Sequence, residues 1–223
     1  EAQETKLDLV CRKIGLNKGD RILDIGCGWG SFAKYAAQKY GSSVVGITVS
    51  KEQAALAKEH CKGLSVEIRV QDYRSVDETF DHLISLGMFE HVGVKNYREY
   101  FKVANRCLKE DGFFLLHTIG YTRSQITGDP WLLKYIFPGG MLPSVAQVGK
   151  AIEGLFLVED WHNFGTDYDK TLLAWFKNFD AAWPALRAKY GLPDQGDRFY
   201  RMWKYYLLVC AGDFRARDSQ LWQ

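Results

Sequence analysis

The chain has 223 residues, of which 47% are hydrophobic, and a formal net charge of +2 from 29 basic and 27 acidic residues. This length and hydrophobic content predict one large domain over residues 1–223. The charge is nearly balanced and no block of like charges occurs, which argues against a nucleic-acid partner. The five cysteines are odd in number and form no CxxC pair, which argues against a disulfide framework and against a metal site.

Short apolar runs alternate with helical runs through the first half of the chain, after an opening segment with the pattern of an amphipathic helix. Such alternation is typical of βαβ units. The sequence therefore predicts an α/β fold with a doubly wound, mostly parallel sheet covered on both faces. The predicted strands are 21–25, 43–49, 65–70, 81–86 and 112–119, and the predicted helices are 29–40 and 51–61.

The second half has a different pattern. Residues 129–142 (DPWLLKYIFPGGML) are aromatic and apolar, and predict a helical lid inserted above the sheet. This segment fits two alternatives: a buried helix that caps the sheet, or the wall of a channel for a long apolar ligand. No apolar run reaches the roughly 20 residues that a membrane-spanning helix needs. The remaining predictions are a strand at 155–164, helices at 169–183 and 197–211, and an edge strand within 214–222.

A glycine-rich motif, LDIGCGWG, follows the first predicted strand and opens a helix. Glycines there allow a sharp turn and a close approach of the backbone to a ligand. Three alternatives fit: a tight turn without a ligand, an NAD site, or an S-adenosylmethionine (SAM) site. The spacing is GxGxG rather than GxGxxG, and no acid follows the second strand, which disfavours NAD. Asp24, Gly26, Cys27 and Gly28 instead resemble the first motif of the Rossmann-like, class I methyltransferases, whose turn accommodates the amino-acid part of SAM.

Two later strand ends support the SAM alternative. Asp72 follows the third predicted strand, where methyltransferases often place an acid against the adenine amino group, and Tyr73 would stack on the base. Taken alone, Asp72 is at least as well explained by a loop acid or a helix cap. Leu86 ends the fourth predicted strand, which lies beside the cofactor in such folds. Loops after three consecutive strands together favour a cofactor site.

The resemblance then becomes more specific. Successive segments of the chain resemble those of the bacterial cyclopropane-fatty-acyl-phospholipid synthases and, less closely, those of the mycolic acid cyclopropane synthases. These segments are LDIGCGWG, VVGITVSKEQ, VQDYR, GMFEHVGVKNYREYF, LLHTIG, DPWLLKYIFPGGMLPS, EDWHNFGTDYDKTLLAW and FRARDSQLWQ. The resemblance implies that Thr48, Ser50 and Gln53 bind the cofactor ribose and neighbouring polar groups. It also implies a homodimer and an additional N-terminal domain, with a cysteine motif upstream of the first residue of this chain.

The family reaction transfers a methylene group from SAM to a cis double bond of a phospholipid acyl chain, and leaves S-adenosylhomocysteine. Positive charge develops on the acyl chain, and a proton must leave the transferred methyl before the ring closes. The reaction therefore needs a dry channel and a base. The resemblance implies bicarbonate as that base, held by Glu90, His117, Ile119 and Tyr168. Without the resemblance, a capping or surface Glu, a core His and a packing Tyr explain these residues better.

The resemblance also implies that the protein is cytoplasmic and associates peripherally with the inner face of the membrane. Its substrate there would be unsaturated phospholipid. Two alternatives to cyclopropane formation stay open. A related C-methyltransferase would leave a methyl branch or a methylene group, because it loses its proton elsewhere. A non-catalytic module would bind lipid or SAM without transfer, although an intact set of Glu90, His117 and Tyr168 argues against it.

Overall fold

The computed structural model of the protein describes residues 1–190 and 196–223. These residues form two compact units. The larger unit comprises Glu1–Thr118 and Gln147–Glu159, and the smaller unit comprises Ile119–Ala146 and Asp160–Gln223. In the described ranges, none of the helices combines the length and the apolar character that crossing a bilayer requires.

Six strands form one sheet in the order β3-β2-β1-β4-β5-β6. The β1–β2, β2–β3, β1–β4 and β4–β5 pairs are all parallel. The order reverses between β1 and β4, and in open α/β sheets ligands bind beyond the carboxyl ends of the strands at such a switch point. The strands are β1 (Arg21–Ile25), β2 (Ser43–Thr48), β3 (Val66–Val70), β4 (Phe80–Leu86), β5 (Leu108–Tyr121) and β6 (Ser219–Trp222).

Alternate residues of the strands in the larger unit enter two different cores, as a period of two requires for a sheet that is covered on both faces. Leu23 and Val45 belong to one buried cluster, whereas their neighbours Ile22 and Val44 belong to the other. The helices of this unit are α1 (Ala2–Lys13), α2 (Ser31–Tyr40), α3 (Lys51–His60), α4 (Tyr97–Cys107) and most of α6 (Val145–Ile152).

The smaller unit is mainly helical. Its helices are α5 (Pro130–Tyr135), α7 (Gly165–Lys189) and α8 (Gly196–Ala216). Helices α7 and α8 pack around Leu172, Leu207 and Phe214, and Leu221 of β6 joins the same cluster. No residue of α5 is fully buried, which disfavours the first of the two alternatives for residues 129–142, a buried helix that caps the sheet.

The predicted elements are confirmed in type with one exception. Residues 155–164 contain no strand, only an isolated bridge between Asn163 and Trp222, so the strand predicted there is wrong. The predicted helix at 29–40 begins two residues later than expected, because Gly30 adopts φ +80° and lies outside the helix. Helix α7 continues through Pro184 to Lys189 rather than ending at Trp183.

Candidate cofactor and active site

The glycine-rich turn follows β1 and is held against the end of β2. The backbone N–H groups of Gly26 and Cys27 both donate to the Ile47 carbonyl oxygen, at 3.0 and 2.9 Å. Gly26 has φ +83° and Gly28 has φ +54°, which favours glycine at both positions. A Cβ on Gly26 would lie 2.6 Å from Cγ of Met88, whereas one on Gly28 would meet nothing within 4 Å. The turn therefore packs against Met88 at Gly26, whereas the space beside Gly28 is empty.

Asp24 lies just before this turn, and its side chain is buried within the sheet. It is 2% exposed, and its Oδ2 accepts no hydrogen bond from any residue in the part of the chain that the structure describes. Burial raises the pKa of Asp24 to about 7. A cation placed beside this carboxylate would stabilise its charged form and lower that pKa. The amino-acid part of SAM carries an ammonium group, so this carboxylate fits that part of the cofactor.

Three predicted cofactor residues form one hydrogen-bonded group at the carboxyl end of β2. The Thr48 hydroxyl donates to Oε1 of Gln53 at 2.8 Å, and the Ser50 N–H donates to Oγ1 of Thr48 at 3.2 Å. The Ser50 hydroxyl oxygen caps α3 by accepting from the Gln53 N–H at 3.2 Å. The structure therefore brings these three side chains together beside the glycine-rich turn, since Thr48 follows Ile47 directly.

Asp72 and Tyr73 lie in the loop after β3. Asp72 caps a short 3-10 turn, and its carboxylate pairs with the Arg74 guanidinium, with Nη2 and Oδ2 2.6 Å apart. This pairing holds the pKa of Asp72 below its usual value. A carboxylate has about four lone-pair directions, so Asp72 retains acceptor capacity for a further donor. The Tyr73 ring meets Tyr100 edge to face, with centroids 5.2 Å apart.

His117 of β5 lies opposite Leu86, the last residue of β4. The Gly87 N–H donates to the His117 carbonyl oxygen at 2.8 Å. The buried Nδ1 of His117 has no hydrogen-bond partner in the described ranges. Burial, and then the positive charges of Lys6 and Lys13, lower the pKa of His117 to about 4. The imidazole is therefore neutral at pH 7, and it has one nitrogen available to an additional group.

Glu90 lies in a 3-10 turn after β4, and it is 9% exposed. The pKa of Tyr97 is raised to about 12, mainly by burial and to a smaller extent by the negative charge of Glu90. Of the four predicted bicarbonate residues, Glu90 and His117 belong to the larger unit, and Ile119 and Tyr168 belong to the smaller one.

Ile119 and Tyr168 pack against the same buried cluster of the smaller unit. The Tyr168 ring meets the Phe214 ring edge to face, with centroids 4.9 Å apart. The structure thus brings Ile119 and Tyr168 into one packed environment, whereas Glu90 and His117 lie on neighbouring elements of the larger unit.

Four residues near the site were not anticipated from the sequence. Met88 covers Gly26, and Arg74 pairs with Asp72. Lys6 and Lys13 contribute positive charge to His117 from α1. The spacing of these two lysines, two helical turns apart, places them on one helix face and was a usable signal. Met88 and Arg74 had no comparable signal, because an apolar or a basic residue in a loop is common.

Comparison with known proteins identifies the family. A sequence model described as mycolic acid cyclopropane synthetase matches residues 1–223. The chain belongs to this family. It is 55% identical over 222 residues to the cyclopropane-fatty-acyl-phospholipid synthase of Escherichia coli strain K12, covering 100% of this chain and 57% of that protein. It is 36% identical to a probable fatty acid methyltransferase of Pseudomonas putida, covering 96% of this chain and 56% of that protein. The chain thus spans little more than half the length of these relatives.

Solved structures of the family share the fold. The cyclopropane synthase MmaA2 from Mycobacterium tuberculosis superposes with a TM-score of 0.90 at 29% identity, covering 100% of this chain and 83% of that chain. The mycolic acid cyclopropane synthase CmaA1, complexed with SAH and CTAB, superposes with a TM-score of 0.87 at 33% identity, covering 100% of this chain and 82% of that chain. The predicted family and the predicted methyltransferase fold are confirmed.

Proposed function

We propose that this chain is the SAM-dependent catalytic part of a cyclopropane-fatty-acyl-phospholipid synthase. It transfers a methylene group from SAM to the cis double bond of an unsaturated phospholipid acyl chain. The observation that carries the proposal is 55% identity along the whole chain to an enzyme of that name. The lower identity, 36%, to a probable fatty acid methyltransferase ranks that activity second.

The larger unit supplies the residues that would hold SAM. Asp24 fits the ammonium group, because its buried carboxylate has an oxygen without a partner in the described chain. The backbone at Gly26, Cys27 and Gly28 would approach the amino-acid part of the cofactor. SAM supplies an electrophilic methyl group when bound. The remaining contacts in this proposal come from the hydrogen-bonded group at the carboxyl end of β2 and from the ends of β3 and β4, namely Thr48, Ser50, Gln53, Asp72, Tyr73 and Leu86.

A proton acceptor is the second requirement of the reaction. Bicarbonate fits His117, because its buried Nδ1 has no partner among the described residues, and a neutral imidazole donates one hydrogen bond. Lys6 and Lys13 add positive charge at His117, which favours an anion there. An anionic Glu90 would repel bicarbonate, so we assign Glu90 to orienting His117 or to accepting a hydrogen bond from the bicarbonate hydroxyl.

The family resemblance extends this proposal to the smaller unit. Tyr168 would donate its hydroxyl hydrogen to the anion, and Ile119 would contribute through its backbone. The segment 129–142 would wall the acyl channel and exclude water, which would otherwise trap the cation that develops on the substrate. The same resemblance supports a homodimer of the whole protein, and cytoplasmic protein at the inner face of the membrane.

The test is product analysis. The protein is incubated with SAM and vesicles of cis-unsaturated phospholipid, and S-adenosylhomocysteine and lipid are measured by mass spectrometry. Proton NMR of the lipid then separates a cyclopropane from a methyl branch or an exocyclic methylene. We expect a cyclopropane. A methyl-branched product would establish the related C-methyltransferase activity instead, and SAM binding without S-adenosylhomocysteine release would establish a binding module.

A variant pair tests the proton acceptor. His117→Gln removes the proposed anion ligand, while His91→Gln changes an exposed histidine of the same unit. Removal of bicarbonate by CO2-free buffer should slow the unaltered protein and the His91 variant, and added bicarbonate should restore them. The His117 variant should respond weakly. An equal response of all three proteins would contradict the bicarbonate assignment.

A further inference from the structure

The smaller unit contains an open cavity of about 300 Å³, and two of its lining residues, Trp131 and Tyr135, belong to the segment 129–142 that is proposed to wall the acyl channel. A cavity of this size lies at the lower end of the range for small-molecule sites, roughly 300–1,000 Å³. It therefore accommodates a compact group rather than a long chain. Its lining consists of Trp131, Tyr135, Arg198, Arg201, Met202 and Tyr205.

The lining residues come from two helix faces. Arg198, Arg201, Met202 and Tyr205 are spaced i, i+3, i+4 and i+7 along α8, so they share one face. Trp131 stands on α5, and its ring meets the Tyr205 ring edge to face with centroids 4.5 Å apart. This aromatic contact joins the two helices beside the arginines.

The cavity has an unbalanced positive charge. In residues 1–190 and 196–223, neither Arg198 nor Arg201 forms an ion pair. The nearest acids in sequence have other partners. Asp197 pairs with Arg187 at 3.4 Å, and Asp129 caps α5 by accepting from the Trp131 N–H at 3.0 Å.

We propose that this cavity binds the phosphodiester group of a membrane glycerophospholipid. Two guanidinium groups suit a phosphate ligand, because each guanidinium can donate two parallel hydrogen bonds to phosphate oxygens. The aromatic walls decide between a lipid and a free phosphate ion. A small anion gains nothing from Trp131 or Tyr205, whereas Trp and Tyr are the side chains enriched at the interface between water and acyl chains. The inference rests on the proposed function, since it assigns the headgroup of that phospholipid substrate.

Exposed aromatic residues on the same unit extend the surface beside the cavity. Tyr205 is 51% exposed and Phe137 is 40% exposed, and the Phe137 ring contacts Tyr206 of α8 edge to face at 5.5 Å. The Lys134 ammonium lies 5.2 Å from the centre of the Tyr135 ring. A rim of aromatic rings with a further cation suits a bilayer surface.

The test measures vesicle binding in the absence of SAM. Co-sedimentation compares vesicles of phosphatidylcholine, which carry the phosphodiester and no net charge, with vesicles of digalactosyldiacylglycerol, which carry no phosphate. We expect stronger binding to phosphatidylcholine. The double substitution Arg198→Gln, Arg201→Gln should weaken that binding about tenfold, because hydrogen bonds to charged groups contribute on this scale. It should leave binding to the galactolipid unchanged.

Two matched variants separate a site from general attraction. Lys150→Gln with Lys177→Gln removes the same charge from exposed positions outside the cavity lining, and should bind both vesicles as the unaltered protein does. Arg198→Lys with Arg201→Lys keeps the charge and removes the forks, and should lose most of the preference for phosphatidylcholine. Circular dichroism checks that each variant is folded.

Several outcomes would overturn the inference. They are equal binding to the two vesicle types, full affinity of the lysine pair, and equal weakening by the control pair. Complete displacement from vesicles by millimolar inorganic phosphate would assign the cavity to free phosphate instead. The assay contains no cofactor, so its result is independent of methylene transfer. Vesicle binding without product would refute the proposed function alone, and product without the phosphatidylcholine preference would refute this site alone.

Discussion

Replacement of Asp24 by Asn tests whether the cofactor site contains a carboxyl group that the protein alone cannot satisfy. The side chain is buried, and its Oδ2 has no partner among the described residues. Burial raises its pKa from 3.8 to about 7. Asn has nearly the same shape and does not ionise, so the substitution removes the charge and keeps most of the packing.

The magnitude follows from linkage between proton binding and folding. Between pH values of 3.8 and about 7 the folded state keeps a proton that the unfolded state releases. The contribution of Asp24 to stability is therefore fully present below 3.8 and is lost as pH rises through about 7. The difference is about three pKa units at about 1.4 kcal/mol each, or about 4 kcal/mol in all, of which roughly 3 kcal/mol is lost between about pH 5 and pH 8.

Urea unfolding of the cofactor-free protein measures this dependence. We expect the variant to gain on the unaltered protein by roughly 3 kcal/mol as pH rises from about 5 to about 8, whatever the offset between them at the starting pH. Asp111→Asn, which removes an exposed carboxylate of the same unit, is the control and should show no such gain. A stability difference between Asp24→Asn and the unaltered protein that does not change with pH would refute the reasoning.

The same carboxylate predicts the pH dependence of SAM binding. An ammonium ligand pairs with the ionised form, so affinity should fall about tenfold per pH unit below about 7 and level off above it. Isothermal calorimetry over this range measures the slope. The Asn variant should bind SAM more weakly at about pH 8 and should lose the slope. A slope retained in the variant would place the titrating group elsewhere.

Three further predictions concern single residues. Gly26→Val should weaken SAM binding, measured by calorimetry, at least about tenfold, because the new Cβ would clash with Met88. Gly63→Val is the control, since Gly63 also has a positive φ but has open space around it, and this variant should bind SAM as the unaltered protein does. Glu90→Gln should bind SAM normally and turn over about a hundredfold more slowly, and a normal rate would exclude Glu90 from the catalytic set. The pKa of about 4 for His117 predicts no loss of turnover from its protonation between about pH 8 and pH 5; a fall near pH 6 that is absent from His117→Gln would contradict it.

The sheet was predictable because its residues follow simple rules. Apolar strands alternate with helices, and neighbouring residues such as Ile22 and Leu23 enter opposite cores. The error at 155–164 has a physical cause. Leu157 and Val158 are β-branched or apolar and favour a strand, yet both are exposed, so no core selects that conformation. The helix predicted at 169–183 was too short, since α7 continues through Pro184 to Lys189 although proline usually breaks a helix.

The sequence predicted which loops form the candidate site, but it did not predict which side chains in those loops contact one another. The cofactor role of Thr48, Ser50 and Gln53 at the end of β2 was predicted from the resemblance, whereas their mutual hydrogen bonds were evident only in the structure. The Arg74 pair of Asp72 depends on the short 3-10 turn Tyr73–Ser75, which was not predicted from the sequence. Catalytic roles for Glu90, His117, Ile119 and Tyr168 stay predictions, because these residues alone have ordinary structural explanations.

Two buried groups in the larger unit prefer ligands of opposite charge, and β4 lies between them. Asp24 of β1 is opposite Ile84, and His117 of β5 is opposite Leu86 on the same strand. The carboxyl group favours a cation, whereas the neutral imidazole, with Lys6 and Lys13 acting on it, favours an anion. A cofactor with an ammonium group and an anionic base would satisfy both without competing for one position. Each ligand relieves a separate cost of burial, so the two should bind with little direct dependence on each other. Strong negative coupling between SAM and bicarbonate affinities, in which each ligand weakens binding of the other, would mean that one group serves both ligands.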